Sequence, residues 1–360
     1  MAFDCTNEQL YYMYLYFCRL VMVLILTIIL GSCATWKLGK SGQQKITGKT
    51  YVIVGASSGF GRGMAEELGK YKANVVLAAR RTELLNEVSS IIKMAGGNSV
   101  VVTMDISKPE DVQRVLDTAT QVFGRIDVWV NMVGVGAIGK FWEIPLQDQA
   151  RIIDVNLKGF LYGSYMATAQ FQKQGYGTLI NVGSIDSETP HPYQATYSAT
   201  KAGVRSLGLA LSQELKRNGY KNIKVVTVEP WAVDTPWWGH AANYSGGTPR
   251  MAAMDPPDKV VNALLRVSLR PRKELPVGWK ARGSWISHHI APRFTEWFTG
   301  KVAHKYQIKD APPARDTTGA IYHPMQSGRG VDDGVRARIK REKKERKAQK
   351  KGRADNNGKS

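Results

Sequence analysis

Six short runs rich in Val, Ile and Leu recur along the chain, each separated from the next by a stretch of helical periodicity. This alternation constrains the fold more than any other feature. The runs are Thr50–Val54, Asn74–Ala79, Ser99–Met104, Asp127–Val130, Thr178–Val182 and Ile223–Val228. Between them apolar residues fall three and four apart, as at Leu84, Leu85, Val88, Ile91 and Ile92, or at Val112, Val115, Leu116 and Ala119, which is the pattern of helices with one buried face. The strand runs are nearly continuous in apolar character, so both of their faces are buried, and that requires a sheet covered by helices on each side. The predicted fold class is α/β, a doubly wound, mostly parallel sheet.

The alternation spans residues 50–278, enough for one large domain. Residues 36–49, small, polar and basic, read as a linker. Beyond Val277 the pattern gives way to Trp279, Trp285, Ile286, Ile290, Phe294, Trp297 and Phe298. Residues 279–330 are thus an aromatic-rich extension, read as a packing face against the core, another subunit or lipid. The net charge of +20 first suggests nucleic acid, but eleven Lys/Arg against Glu342 and Glu345 between Arg336 and Arg353 supply +9 of it. That places much of the excess in a basic tail, residues 331–360, which can form a charged helix but has no apolar face and so is expected to be mobile and disordered in isolation. The tail lacks interleaved aromatics for stacking on bases, so nucleic acid is not the expected partner. The three cysteines are Cys5, Cys18 and Cys33, which excludes a disulfide scaffold, a cysteine-ligated metal or a thiol nucleophile in the main domain. No metal site is expected.

Ahead of the linker, Leu20–Leu30 carries no charge and the aromatic run before it extends the apolar region back to Tyr11, interrupted by Arg19. Such a length reads as an amino-terminal anchor within residues 1–35. Lys37, Lys40, Lys45 and Lys49 follow it, so the expectation is a single-pass membrane protein with its main domain facing the cytoplasm. The alternative is a lipoprotein cleaved at Leu30-Gly31-Ser32-Cys33 and anchored through Cys33. Membrane lipids would be partners in either case, the basic tail lying on the anionic surface.

The first strand runs into Gly55-Ala56-Ser57-Ser58-Gly59-Phe60-Gly61 and then into a helix-like stretch. Glycines at a strand-to-helix turn let the backbone approach a pyrophosphate, which free amide N–H groups and the helix dipole stabilise. Gly55, Ser57, Ser58, Gly59, Phe60 and Gly61 are therefore candidate dinucleotide contacts. The second strand ends in Ala79-Arg80-Arg81, with no carboxylate before Glu83. An acid there would bind a ribose 2′-hydroxyl, whereas cations suit a 2′-phosphate. The predicted cofactor is NADP (NADPH), with Arg80 on the phosphate and Arg81 stacking on adenine.

Further along, Tyr197-Ser198-Ala199-Thr200-Lys201 puts a phenol and an ammonium at i and i+4 of a predicted helix. A nearby cation favours the phenolate, which predicts a lowered phenol pKa and a group able to exchange protons near neutrality. Taken together, the glycine turn, Asn156 in Ile-Ile-Asp-Val-Asn, Ser184 in Asn-Val-Gly-Ser and the Tyr197/Lys201 pair stand in the order and spacing of the short-chain dehydrogenase/reductase family, which residues 50–277 closely resemble. The resemblance implies a Rossmann-type fold and a catalytic set of Ser184, Tyr197, Lys201 and Asn156. In it Tyr197 protonates the substrate carbonyl oxygen as hydride arrives from the nicotinamide, and Ser184 hydrogen-bonds that oxygen. Lys201 holds the nicotinamide ribose, and Asn156 supports a proton relay. Asp105 and Asn131 match the family's adenosine-side contacts, and Pro230, Val233 and Thr235 its nicotinamide-side segment, with Tyr197 and Lys201 touching both cofactor and substrate.

Two positions depart from the family pattern. Met132-Val133 replaces Asn-Ala after Asn131, and Trp231 replaces Gly after Pro230. The expected activity is an NADP-dependent carbonyl reductase or alcohol dehydrogenase acting on a lipophilic small-molecule carbonyl or alcohol, such as a fatty-chain, steroid or retinoid compound, because Trp237, Trp238, His240 and Tyr244 stand in the expected substrate loop, with Pro190-His191-Pro192-Tyr193 nearby, and predict a bulky, apolar pocket. The alternative is a non-catalytic dinucleotide-binding scaffold whose basic tail recruits an acidic partner. Assembly with further copies of the chain is left open.

Overall fold

A computed structural model describes residues 11–16, 19 and 37–357. Seven parallel strands form one sheet in the order β3-β2-β1-β4-β6-β7-β9: β1 Thr50–Val54, β2 Asn74–Ala79, β3 Asn98–Thr103, β4 Val128–Asn131, β6 Gly177–Val182, β7 Ile223–Pro230 and β9 Glu274–Val277. Two short strands, β5 Ala137–Ile138 and β8 Ala242–Asn243, pair apart from it. Tyr51 lies opposite both Val75 and Val128, which places β1 at the centre, where the strand order reverses. Such a reversal opens a crevice beyond the carboxyl ends of the strands.

Side chains alternate across the sheet, so β1 feeds two cores. Tyr51 and Ile53 join Met64, Leu68, Leu85, Val88 and Leu264 on one face, beneath the helices Gly59–Lys70, Thr82–Met94 and Pro257–Leu269. Val52 and Val54 join Val112, Val115, Phe160, Phe171 and Val204 on the other, beneath Pro109–Phe123, Gly159–Gln174 and Ala195–Arg217. The expected α/β architecture is present with all of its predicted strands. One sheet strand was not predicted: β9 carries Pro276, which a sheet tolerates at an edge.

The expected membrane placement is corrected: among the described residues no helix is long and apolar enough to cross a membrane. Most of the segment from Tyr11 to Cys33, including the alternative lipid site at Cys33, lies outside the described residues. In the aromatic extension, Trp279, Phe294, Trp297 and Phe298 remain more than half exposed.

The basic tail also departs from expectation. A helix spans Val335–Asn357, and its start is docked: the amides of Val335 and Arg336 donate to the Asp234 carboxylate at 2.8 and 3.1 Å. Val335 and Ile339, four residues apart, pack with Trp238 and Met251. Arg250, buried, forms an ion pair with Glu342. These contacts come from single residues, which composition does not reveal.

Candidate active site

The glycine turn requires glycine at two points. Gly55 has φ +107°, and a Cβ on Gly61 would stand 2.0 Å from the Gly55 carbonyl oxygen. With no side chain in the way, the first turn of helix Gly59–Lys70 lies directly beneath the cleft. This cradle fits a pyrophosphate held by backbone amides.

One continuous cleft is lined by Gly55, Ser57, Ser58, Gly59, Phe60 and Gly61, by Arg80, Arg81 and Asp105, and by Ser184, Tyr197, Lys201, Pro230, Val233 and Thr235. Two expected residues stand behind its wall. Asn131 is wholly buried, donating to Asn181 Oδ1 (2.9 Å) and accepting from the Trp129 indole (2.7 Å). Asn156 uses its side chain to hold the Val135 backbone, accepting its N–H at 2.9 Å and donating to its carbonyl at 2.8 Å. It sits in a π-helical turn, Asp154–Lys158, a distortion that often marks functional sites. Asp105 lines the cleft but is engaged by Arg151 at 2.6 Å and by Ser107.

At the catalytic end, Ser184 follows β6 and caps a short helical turn, its Oγ accepting the Asp186 N–H at 3.2 Å. Tyr197 and Lys201 come from one face of helix Ala195–Arg217, and the nearby Ser184 hydroxyl acts to lower the phenol pKa. The Lys201 ammonium lies 5.6 Å from the centre of the Tyr197 ring and donates to the Val182 carbonyl at 2.9 Å. The sequence-based expectation of a lowered phenol pKa is corrected. Enclosure of the hydroxyl, followed by the nearby Asp186 charge, raises it above the ordinary value. Burial lowers the Lys201 ammonium to about 8. The Trp237 ring leans on Tyr197, centroids 5.3 Å apart.

At the other end, the arginines are already engaged. Arg80 donates to the carbonyls of Ala320 (2.7 Å) and Tyr322 (3.0 Å). Arg81 donates to the hydroxyls of Ser57 and Ser58, and to the carbonyls of Met325, Ser327 and Gly328 at 3.2 to 3.3 Å. The Gly59 N–H, in the phosphate turn itself, donates to the Gly330 carbonyl at 3.0 Å. Residues 320–330 therefore form a strap over this end, and it is Arg81, expected to stack, that reaches the turn serines. Sequence reasoning missed the strap because it acts through backbone carbonyls, which carry no residue signature. It also missed the Asp186–His191 pair, although both residues lie between Ser184 and Tyr197.

A parallel sheet reversing at β1, a glycine cradle and a Ser/Tyr/Lys cluster at the strand ends together define a dinucleotide-cleft oxidoreductase. The chain belongs to the short chain dehydrogenase family, whose model matches residues 49–243. It is similar to the uncharacterized oxidoreductase YxnA of Bacillus subtilis (strain 168), 30% identical over 293 residues that cover 81% of each chain. Among solved structures it is similar to an alcohol dehydrogenase from the archaeon Thermococcus sibiricus complexed with 5-hydroxy-NADP, at 26% identity and a TM-score of 0.55, covering 64% of this chain and 94% of that one. It is also similar to 3-ketoacyl-(acyl-carrier-protein) reductase from Brucella melitensis complexed with NADH, at 29% identity and a TM-score of 0.56, covering 64% and 96%.

Proposed function

We propose that this oxidoreductase interconverts a carbonyl and a primary or secondary alcohol, using NADP(H), on a small substrate with an apolar body. The observation that carries the reading is the meeting of Ser184, Tyr197 and Lys201 on one wall of the cleft. Solved relatives hold NADP-type and NADH ligands, which supports a nicotinamide dinucleotide here. Arg80 and Arg81 in place of an acid favour the 2′-phosphorylated form.

In this reading the Gly55–Gly61 turn holds the pyrophosphate, Lys201 the nicotinamide ribose, and Pro230, Val233 and Thr235 the carboxamide. When bound, the nicotinamide supplies or accepts the hydride. Tyr197 keeps its proton on Oη and donates it to the substrate oxygen during reduction. Ser184 Oγ hydrogen-bonds the same oxygen and fixes its position. Lys201, bound to the Val182 carbonyl, places a cation beside the phenol, so negative charge left on Oη is stabilised after transfer. Asn156 acts as a positioning residue through the Val135 backbone. Trp231 and Trp237 exclude water from the reacting atoms. A screen of carbonyls and alcohols with NADPH, NADP, NADH and NAD tests the reading, which fails if no pair gives turnover above that of Tyr197→Phe.

A further inference from the structure

Beside the Ser184/Tyr197 pair stands a buried Asp–His couple that the reaction described above does not use. His191 Nδ1 lies 2.7 Å from Asp186 Oδ1, and both side chains are more than nine-tenths buried. Asp186 faces both ways: its backbone N–H donates to Ser184 Oγ at 3.2 Å, while its carboxylate holds His191. The imidazole is thereby fixed next to the residue that positions the reacting oxygen. Its ring lines the same cleft and meets Trp231 edge-on, centroids 6.4 Å apart. The backbone N–H of His191 is used, donating to Ser198 Oγ at 3.4 Å. The other ring nitrogen, Nε2, is shielded from solvent and has no hydrogen-bond partner.

A buried, unpartnered polar atom on the wall of a binding cleft marks a place where a ligand atom completes the bonding. With a carboxylate at Nδ1, that nitrogen carries a hydrogen. Burial by itself would lower the imidazole pKa, but the charge and hydrogen bond of Asp186 outweigh it and raise the value. With its hydrogen on Nδ1, the ring leaves Nε2 to accept a hydrogen bond when neutral and to donate one when protonated. What Nε2 lacks is a partner, and the reacting carbonyl oxygen, met by Ser184 and Tyr197 in the reaction proposed above, does not supply one.

We infer that His191 is a specificity residue whose Nε2 binds a second oxygen of the substrate, so the preferred substrates are carbonyl compounds bearing a hydroxyl or a further carbonyl within a few bonds of the reacting carbon. The inference rests on the reaction proposed above and narrows its substrate class. Both partners of the couple lie on the short segment between Ser184 and Tyr197, and both line the same cleft as that pair.

The test compares kcat/KM for matched ketones with and without a neighbouring hydroxyl, starting with benzoin and deoxybenzoin and adding the best ketone of the carbonyl screen with its hydroxylated analogue. The wild type should favour the hydroxylated member, and His191→Phe should lower that preference by about twofold to tenfold, mostly through KM, the loss expected for one hydrogen bond. His191→Gln, which keeps a donor, should restore part of it. Should His191→Phe lose its cooperative melt, the pair Asp186→Asn with His191→Leu, which leaves no unpaired charge, reads the same ratio. A wild type without preference, or variants that lose activity equally on both ketones, overturns the role of His191 while leaving the Tyr197 chemistry standing. Turnover of neither ketone above the Tyr197→Phe background overturns the proposed reaction, and this inference with it.

Discussion

The two ends of the cleft handle charge in opposite ways. At the catalytic end, ionisable groups are enclosed and displaced from their ordinary behaviour: the Tyr197 phenol is raised, the Lys201 ammonium is lowered to about 8, and the His191 imidazole is raised by Asp186. Just below, burial raises the Glu229 carboxyl from 4.5 to about 8, with Glu274 and Glu188 adding to the rise and Arg205 partly offsetting it. At the other end stand two guanidinium groups that keep their charge at any ordinary pH and are held by neutral carbonyls. One end is built for moving a proton and the other for holding a fixed charge, where the titratable neighbour is His240, its Nε2 2.9 Å from the Ser327 carbonyl and its pKa lowered by burial.

The most severe way to break this contrast is to remove the proton. Tyr197→Phe should lower kcat by about 10²–10⁴-fold, while quenching of tryptophan fluorescence by NADPH remains measurable. If binding and turnover vanish together, the two ends are not separable. Fixed charge is addressed by Arg80→Asp, which should weaken NADPH by about tenfold to a hundredfold, the range for a lost charged hydrogen bond, with NADH changed far less. Equal weakening of both would remove the 2′-phosphate from the argument.

The strap offers a finer test. Gly328 has φ +66°, and a Cβ there would stand 2.4 Å from His240 Nε2 and 2.8 Å from Pro236 Cβ. Gly328→Val should therefore loosen residues 320–330, seen as faster limited proteolysis, and should tighten NADPH severalfold by freeing Arg81. Weaker NADPH binding would instead make the strap part of the nucleotide site. The smallest expected effect is on stability. The folded protein keeps a proton on Glu229 that the unfolded chain releases. The stability this group contributes is full below about 4.5 and is lost as pH rises through about 8. Glu229→Gln should flatten that decline and raise Tm by about 2–4 °C at the alkaline side, measured by calorimetry across the pH range.

Legibility in the sequence divides along the same line. Ser184, Tyr197 and Lys201 are readable because their chemistry resides in side chains at fixed spacing on a helix and a strand end. Five sheet strands are readable because burial on both faces selects Val and Ile, whereas the edge strand β3, of which only Val102 is buried, is readable from its run of valines alone. β9 escapes because Pro276 interrupts its pattern, and the π-turn at Asn156 because nothing local in Asp154–Lys158 differs from an ordinary helix. The phenol pKa was misjudged because i, i+4 spacing reports the neighbouring cation but not the enclosure, nor Asp186 eleven residues before it. At the arginine end the residues were legible but their partners were not. Carbonyls from residues 320–330 look alike whatever side chains they carry.

The strap has a kinetic meaning. A phosphate approaching Arg80, Arg81 and the Gly59 amide meets donors already committed to the Ala320, Tyr322, Met325, Ser327, Gly328 and Gly330 carbonyls. Those bonds belong to the chain itself, so their release is a first-order event that added nucleotide does not speed up. In a stopped-flow experiment the rate of NADPH association should climb with concentration and then level off. The plateau measures how often this protein lets go of itself.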